Sequence, residues 1–190
     1  SFPTRRSSDL HIYKQLKDKA ASMERRQLAK TGMLRSAHML GNEEEIIFTA
    51  TDLLADTKLA PELSNEAHYY RAKAYLDAGK TDGAMEDLKI LAKDTRNVYG
   101  AEAKYKVAQI YFDGGQTDKA EQEVLNYIEV STPHTYWLAR SFVLLADVYM
   151  KLGRNLDAKQ YLLSLKQNYQ ADDDIAGMIE SRLEKLKTEN

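Results

Sequence analysis

The sequence has no cysteine, only three prolines and one tryptophan, and no uninterrupted apolar run long enough to cross a bilayer. Without cysteine there can be no disulfide, thiol nucleophile or cysteine-ligated zinc, although reducing and oxidising compartments both stay open. Strand signals are equally scarce, because Val and Ile are sparse and alternation is never sustained. Charge of one sign is missing too. Lys and Arg number 27 against 29 Asp and Glu, the signs are interspersed, and nothing resembles the basic footprint of a nucleic-acid binder. The remainder, 43% hydrophobic and 29% charged, is the balance of an ordinary globular domain.

Chemistry-bearing constellations are also lacking. The histidines His11, His38, His68 and His134 fall one per segment without the H-E-x-x-H spacing of a zinc helix. No serine sits in a nucleophile elbow and no glycine-rich loop could cradle a phosphate; GNEEE, which starts at Gly41 after a helix, reads as a capped helix start. The run Asp172 to Asp174 lacks the alternating oxygens and glycine of a calcium loop, and suits a helix N-terminus. Neighbours such as Glu86 and Asp87 point in different directions on a helix. The expectation is a non-enzyme with no catalytic residue, no metal and no cofactor.

What the sequence does have is repetition. Ala72, Tyr75, Gly79 and Ala84 recur as Ala108, Tyr111, Gly115 and Ala120, then as Ala146, Tyr149, Gly153 and Ala158, at steps of 36 and 38 residues. A period in the thirties signals stacked helical hairpins. The first alanine and the tyrosine lie three apart on one helix face. The glycine tolerates the left-handed backbone of a helix end. Thr81, Thr117 and Asn155 are the expected N-caps of the returning helix. The second alanine marks the crossing of the two helices, where a larger side chain would push them apart.

These residues resemble the tetratricopeptide repeat, W-x2-L-G-x2-Y followed by A-x3-F and P. The tryptophan place holds His68, Lys104 and Phe142, the leucine place Arg71, Val107 and Leu145, and the family glycine is alanine throughout. The later aromatic place holds Leu88, Val124 and Leu162. The resemblance implies an all-α fold, an α-α superhelix of antiparallel hairpins forming a solenoid. It also implies protein or peptide partners rather than nucleic acid.

In chain order, residues 1–10, SFPTRRSSDL, look like a translated sequencing adapter, with a natural basic arm as the alternative; the first reading places the native start elsewhere. Ile12, Leu16 and Ala20 form the expected stripe of a helix from His11 to Ala20. Hairpins are expected over about 22–58, 62–96, 98–132 and 135–169, followed by a capping helix over 172–187, with no internal boundary. In the first hairpin Met33, Leu34 and Ala37 take the packing places, Gly41 ends the helix and Asn42 caps the next. Pro61 opens the second, and in the third the first helix is read from Ala101. Ile175, Met178, Ile179, Leu183 and Leu186 give the capping helix its apolar stripe.

In the tetratricopeptide family the first helices line a concave groove, and the resemblance assigns groove positions here. They are Tyr69, Lys73, Leu76 and Asp77, then Tyr105, Gln109, Phe112 and Asp113, then Arg140, Val143, Asp147 and Met150, with Thr31, Arg35 and His38 upstream. Tyr69 and Tyr105 are the expected anchors, offering apolar area and a hydroxyl; the alternative is that they pack between hairpins. The lysine and asparagine clamp of one subtype is absent, since its places hold Tyr69 and Tyr105, and Lys73, Gln109 and Asp147. Lys73, Asp77, Asp113, Asp147 and Lys151 suit a peptide of mixed charge.

The chain is also similar to C-terminal repeat arrays of large bacterial cell-envelope proteins, which implies a scaffold fragment in the periplasm or envelope. The rival expectation is the sensing part of a cytoplasmic regulator.

Overall fold

The computed structural model describes residues 2–19 and 22–188, and every regular element among them is an α-helix. In order they are α1 (Phe2–Lys19), α2 (Met23–Leu40), α3 (Glu43–Leu54), α4 (Pro61–Asp77), α5 (Thr81–Leu91), α6 (Val98–Asp113), α7 (Thr117–Glu129), α8 (Thr135–Lys151), α9 (Asn155–Asn168) and α10 (Ile175–Thr188). They gather into two compact units, residues 1–91 with α1 to α5 and residues 92–190 with α6 to α10.

The repeated glycines build the hairpin turns. Gly41, Gly79, Gly115 and Gly153 have φ of +66°, +70°, +76° and +72°. In each turn the residue after the glycine donates its N–H back five residues, to the carbonyls of Ala37, Tyr75, Tyr111 and Tyr149. This explains one correction. Thr81, Thr117 and Asn155 are the first residues of their helices rather than N-caps. Lys80, Gln116 and Arg154 close the preceding turn and also offer the carbonyls that accept the first bonds of the returning helix, at 3.2, 3.0 and 3.1 Å. One residue serves both helix ends, so no position remains for a separate cap. At the same place in the first turn Asn42 adds a side-chain cap, its Oδ1 accepting from Glu45 N at 3.1 Å, and ahead of α6 Asn97 Oδ1 accepts from Gly100 N at 2.8 Å. The Asn97 cap starts α6 at Val98 and draws Tyr99 and Gly100 into its first turn, rather than leaving them ahead of a helix at Ala101.

Ala72, Ala84, Ala108, Ala120, Ala146 and Ala158 are all buried, none more than 1% exposed. At such contacts a methyl group is all the helix spacing admits. Ala120→Leu should therefore cost about 1 to 3 kcal/mol by overpacking, read as a lower denaturant midpoint with unchanged slope; an unchanged midpoint would contradict this packing.

The tryptophan place is filled by pairs instead of a large ring. Lys30 on α2, 6% exposed, reaches Asp52 on α3 and Asp56 just beyond its end. His68 on α4 meets Asp87 on α5 at 2.7 Å. Lys104 on α6 bonds Glu123 and Asn126 on α7, and Phe142 on α8 lies 6.0 Å from the ring of Tyr161 on α9. In the first unit Arg71 adds a second partner to Asp87, with Nε on Oδ2 at 2.8 Å and NH2 on Oδ1 at 2.7 Å. Burial alone would raise the Asp87 carboxyl, but hydrogen bonds from Arg71 and His68 hold it below the usual carboxylate range.

At α1 the expected stripe does not pack. Ile12 and Leu16 are 49% and 52% exposed, and Ala20 lies outside the described residues. Tyr13 makes the contact, its ring lying where a β-carbon on Gly32 of α2 would be.

Candidate functional site

In the first unit the face shared by α2 and α4 carries the upstream expected residues. Arg35 forks onto Glu66, Nε to Oε1 at 2.6 Å and NH2 to Oε2 at 2.8 Å, tying the two helices together. His38 stacks on Tyr70 with ring centroids 4.1 Å apart. Burial and the Lys73 charge lower its pKa from the ordinary histidine value, so the stacked ring is held neutral near pH 7. Tyr69 is half-buried, with Lys73 Nζ 5.5 Å from its ring centroid. Leu76 is half-buried and Asp77 exposed, whereas Thr31 is buried and donates its hydroxyl to the Gln27 carbonyl.

The second unit departs from expectation. Tyr105 is only 7% exposed; its hydroxyl donates to Gln109 Oε1 at 2.8 Å and accepts from Arg140 NH2 at 3.3 Å, and its ring lies 5.6 Å from that of Trp137. It packs between hairpins and offers no broad anchor. Val143, 3% exposed, is likewise a core residue. Asp147 and Arg140 are engaged by α10. Arg182 forks onto Asp147 through two 2.7 Å bonds, while Arg140 donates to Asp174 and to the Tyr136 hydroxyl, which itself donates to Asp174.

The terminal helix thus covers the α8 face expected to line the groove. It is started by Asp173, whose Oδ1 accepts from Ile175 N at 2.9 Å, and seated by buried Ile175, Ile179 and Leu186. What stays accessible here is Gln109, bonded to Asp113, together with half-buried Phe112 and Met150; Lys151 Nζ lies 5.1 Å from the Phe112 ring centroid.

Sequence reasoning missed the buried pairs and the Arg140 network. One signal was present: His68 and Asp87, Lys104 and Glu123, and Phe142 and Tyr161 are each 19 residues apart, and each pair matches in chemistry. Among the described residues no three potential metal-ligating side chains gather, and no helix is long and apolar enough to cross a membrane.

Antiparallel helical hairpins in a repeating alanine, tyrosine, glycine and alanine register define an α-hairpin repeat protein. Residues 66–94 and residues 139–167 each match a tetratricopeptide repeat model, so the chain carries tetratricopeptide repeats. Its fold is similar to the crystal structure of a Podosopora anserina kinesin light chain with nearly identical TPR-like repeats, at TM-score 0.57 and 18% identity, over 87% of this chain and 95% of that one. It is also similar to the crystal structure of MamA protein, at TM-score 0.57 and 17% identity, over 85% and 92%. No curated protein matches the sequence. The repeat is a non-catalytic scaffold for protein–protein interaction, and so is this chain.

Proposed function

We propose that the chain binds an extended or helical peptide segment of a protein partner along the faces of its first helices. The observation that carries this reading is a motif found in both units. Tyr69 with Lys73 on α4, and Phe112 with Lys151 at the ends of α6 and α8, each set a half-buried ring beneath an ammonium group. A ring so placed gives apolar contact at small entropy cost, and the lysine favours an acidic neighbour on the partner. Asp77, eight residues beyond Tyr69, and Asp113, next to Phe112, favour a basic one. The fitting ligand carries an apolar anchor flanked by both charges.

Tyr69→Ala and Phe112→Ala should each weaken partner capture by about tenfold or more while the helical signal and melt stay near wild type. Capture unchanged by the double variant would refute the face assignment. The likeness to bacterial cell-envelope repeat arrays supports a place within a larger envelope-associated protein.

A further inference from the structure

On the second-helix side of the first unit lies an open groove of about 590 Å³, floored by α3 and bounded by Lys17 of α1 and by Lys80 in the turn between α4 and α5. Its floor is an outer stripe of α3, Ile47, Phe48, Thr51 and Ala55, and from Glu44 to Ala55 the stripe runs about 16 Å. Phe48 is 62% exposed.

The repeat does not require this stripe. Counted from the turn glycine of each hairpin, the place of Phe48 holds Glu86 on α5, Gln122 on α7 and Gln160 on α9, and the place of Ala55 holds Lys93, Glu129 and Gln167. The same fold accepts polar side chains at both places, so a phenyl ring left in water on α3 marks a contact surface.

Charge narrows what fits. Lys17 Nζ lies 2.9 Å from Asp52 Oδ2 and 5.9 Å from the Phe48 ring centroid, and Asp52 also takes Lys30. Within the lining that leaves Glu44 and Lys80, whose side chains have no hydrogen bond or ion pair among the described residues. Two lysines and two carboxylates make the lining neutral overall, with one unpaired charge of each sign. A partner surface carrying one basic and one acidic side chain beside an apolar ridge complements it. An anionic lipid surface, which is drawn to basic faces, does not.

The occupant's backbone is constrained too. An extended segment would bring unpaired N–H and C=O groups against an apolar floor whose hydroxyl, that of Thr51, already accepts from Arg71 NH1 at 3.0 Å. A helix satisfies its own backbone and can lay a ridge of side chains along α3. We propose that this groove docks an amphipathic helix of a protein partner, with apolar residues at i, i+3 or i+4 and i+7, a basic side chain for Glu44 and an acidic one for Lys80. The site is separate from the first-helix faces and does not rest on them.

The test selects, against the full chain, from a displayed library of randomised peptides of about 15 residues, long enough to form a helix, with counter-selection on Phe48→Gln. That variant installs the residue that α7 and α9 carry at the same place, so the hairpin keeps its packing. The expected peptides have the helical apolar spacing, gain helical signal on binding, and bind Phe48→Gln about tenfold more weakly or worse, while Tyr69→Ala leaves their affinity unchanged. Lys80→Glu should weaken them as well, and exchanging the peptide's acidic residue for lysine should restore binding to that variant. Recovery of no Phe48-dependent peptide, of peptides with an alternating apolar pattern that bind extended, or of peptides that depend on Tyr69 instead would overturn the proposal. Saturable binding of phosphatidylglycerol vesicles that is lost in Phe48→Gln, without peptide binding, would overturn it too and assign the groove to a membrane surface.

Discussion

Asp87→Ala should lower the stability of the first unit by about 3 to 5 kcal/mol, the effect of removing one member of a buried ionic cluster. Asp87 is 1% exposed and holds two partners from α4: the His68 ring at Nδ1 and the Arg71 guanidinium at two of its nitrogens. Arg71 in turn donates NH1 to the Thr51 hydroxyl on α3, so one carboxylate organises three helices. Alanine would leave a guanidinium in a partly buried site without its counter-charge.

The pH dependence has a definite sign. The folded carboxyl titrates below its unfolded value, which is near 4, so its contribution is fully present above about pH 4 and is lost as pH falls through the folded pKa. Denaturant melts of wild type and Asp87→Ala should differ most near neutral pH and converge in acid. A gap that stayed constant down to acid would mean that the carboxylate charge is not what matters.

Leu145→Ala should cost the second unit about 2 to 5 kcal/mol, the range for emptying a fully buried leucine site. Leu145 is 0% exposed in a core with Ala120, Val124, Leu162 and Ile179. The site is walled by α7, α9 and α10, leaving little freedom to collapse into the space. Val107, 1% exposed at the equivalent place of α6, loses one carbon fewer on the same change, so Val107→Ala should cost less. Equal or negligible losses at both positions, read from the midpoint at constant slope, would contradict the repeat alignment.

The alanines and glycines of the hairpins were legible in the sequence because their requirements are local. A β-carbon at φ +76° or a longer side chain at a helix crossing is unfavourable whatever the rest of the chain does, so Gly115 and Ala120 announce themselves. Side-chain exposure along the first helices depends instead on neighbours. Tyr69 and Tyr105 hold the same repeat position, yet Tyr105 is buried because Trp137 and Arg140 close over it. The α10 stripe announced a capping helix. Its seat on the α8 face rests on Arg182 meeting Asp147 and on Arg140 meeting Asp174, pairings about 35 residues apart that no local pattern specifies. The Asp87 cluster was hidden for a related reason: each residue alone reads as an ordinary surface charge, and only the spacing of 19 shared by all three copies marks it.

The central claim, that partners dock on the first helices, is tested most directly by placing a photo-crosslinking residue at single positions and irradiating cells that express the chain. Leu76 and Phe112 are half-buried apolar positions on the proposed faces, one in each unit. Ile90 on α5 and Leu163 on α9, each 46% exposed, are equally apolar controls on second helices. The account predicts a discrete protein adduct from Leu76 and Phe112 and none from Ile90 or Leu163. Adducts arising from the second-helix positions, with none from the first, would contradict it.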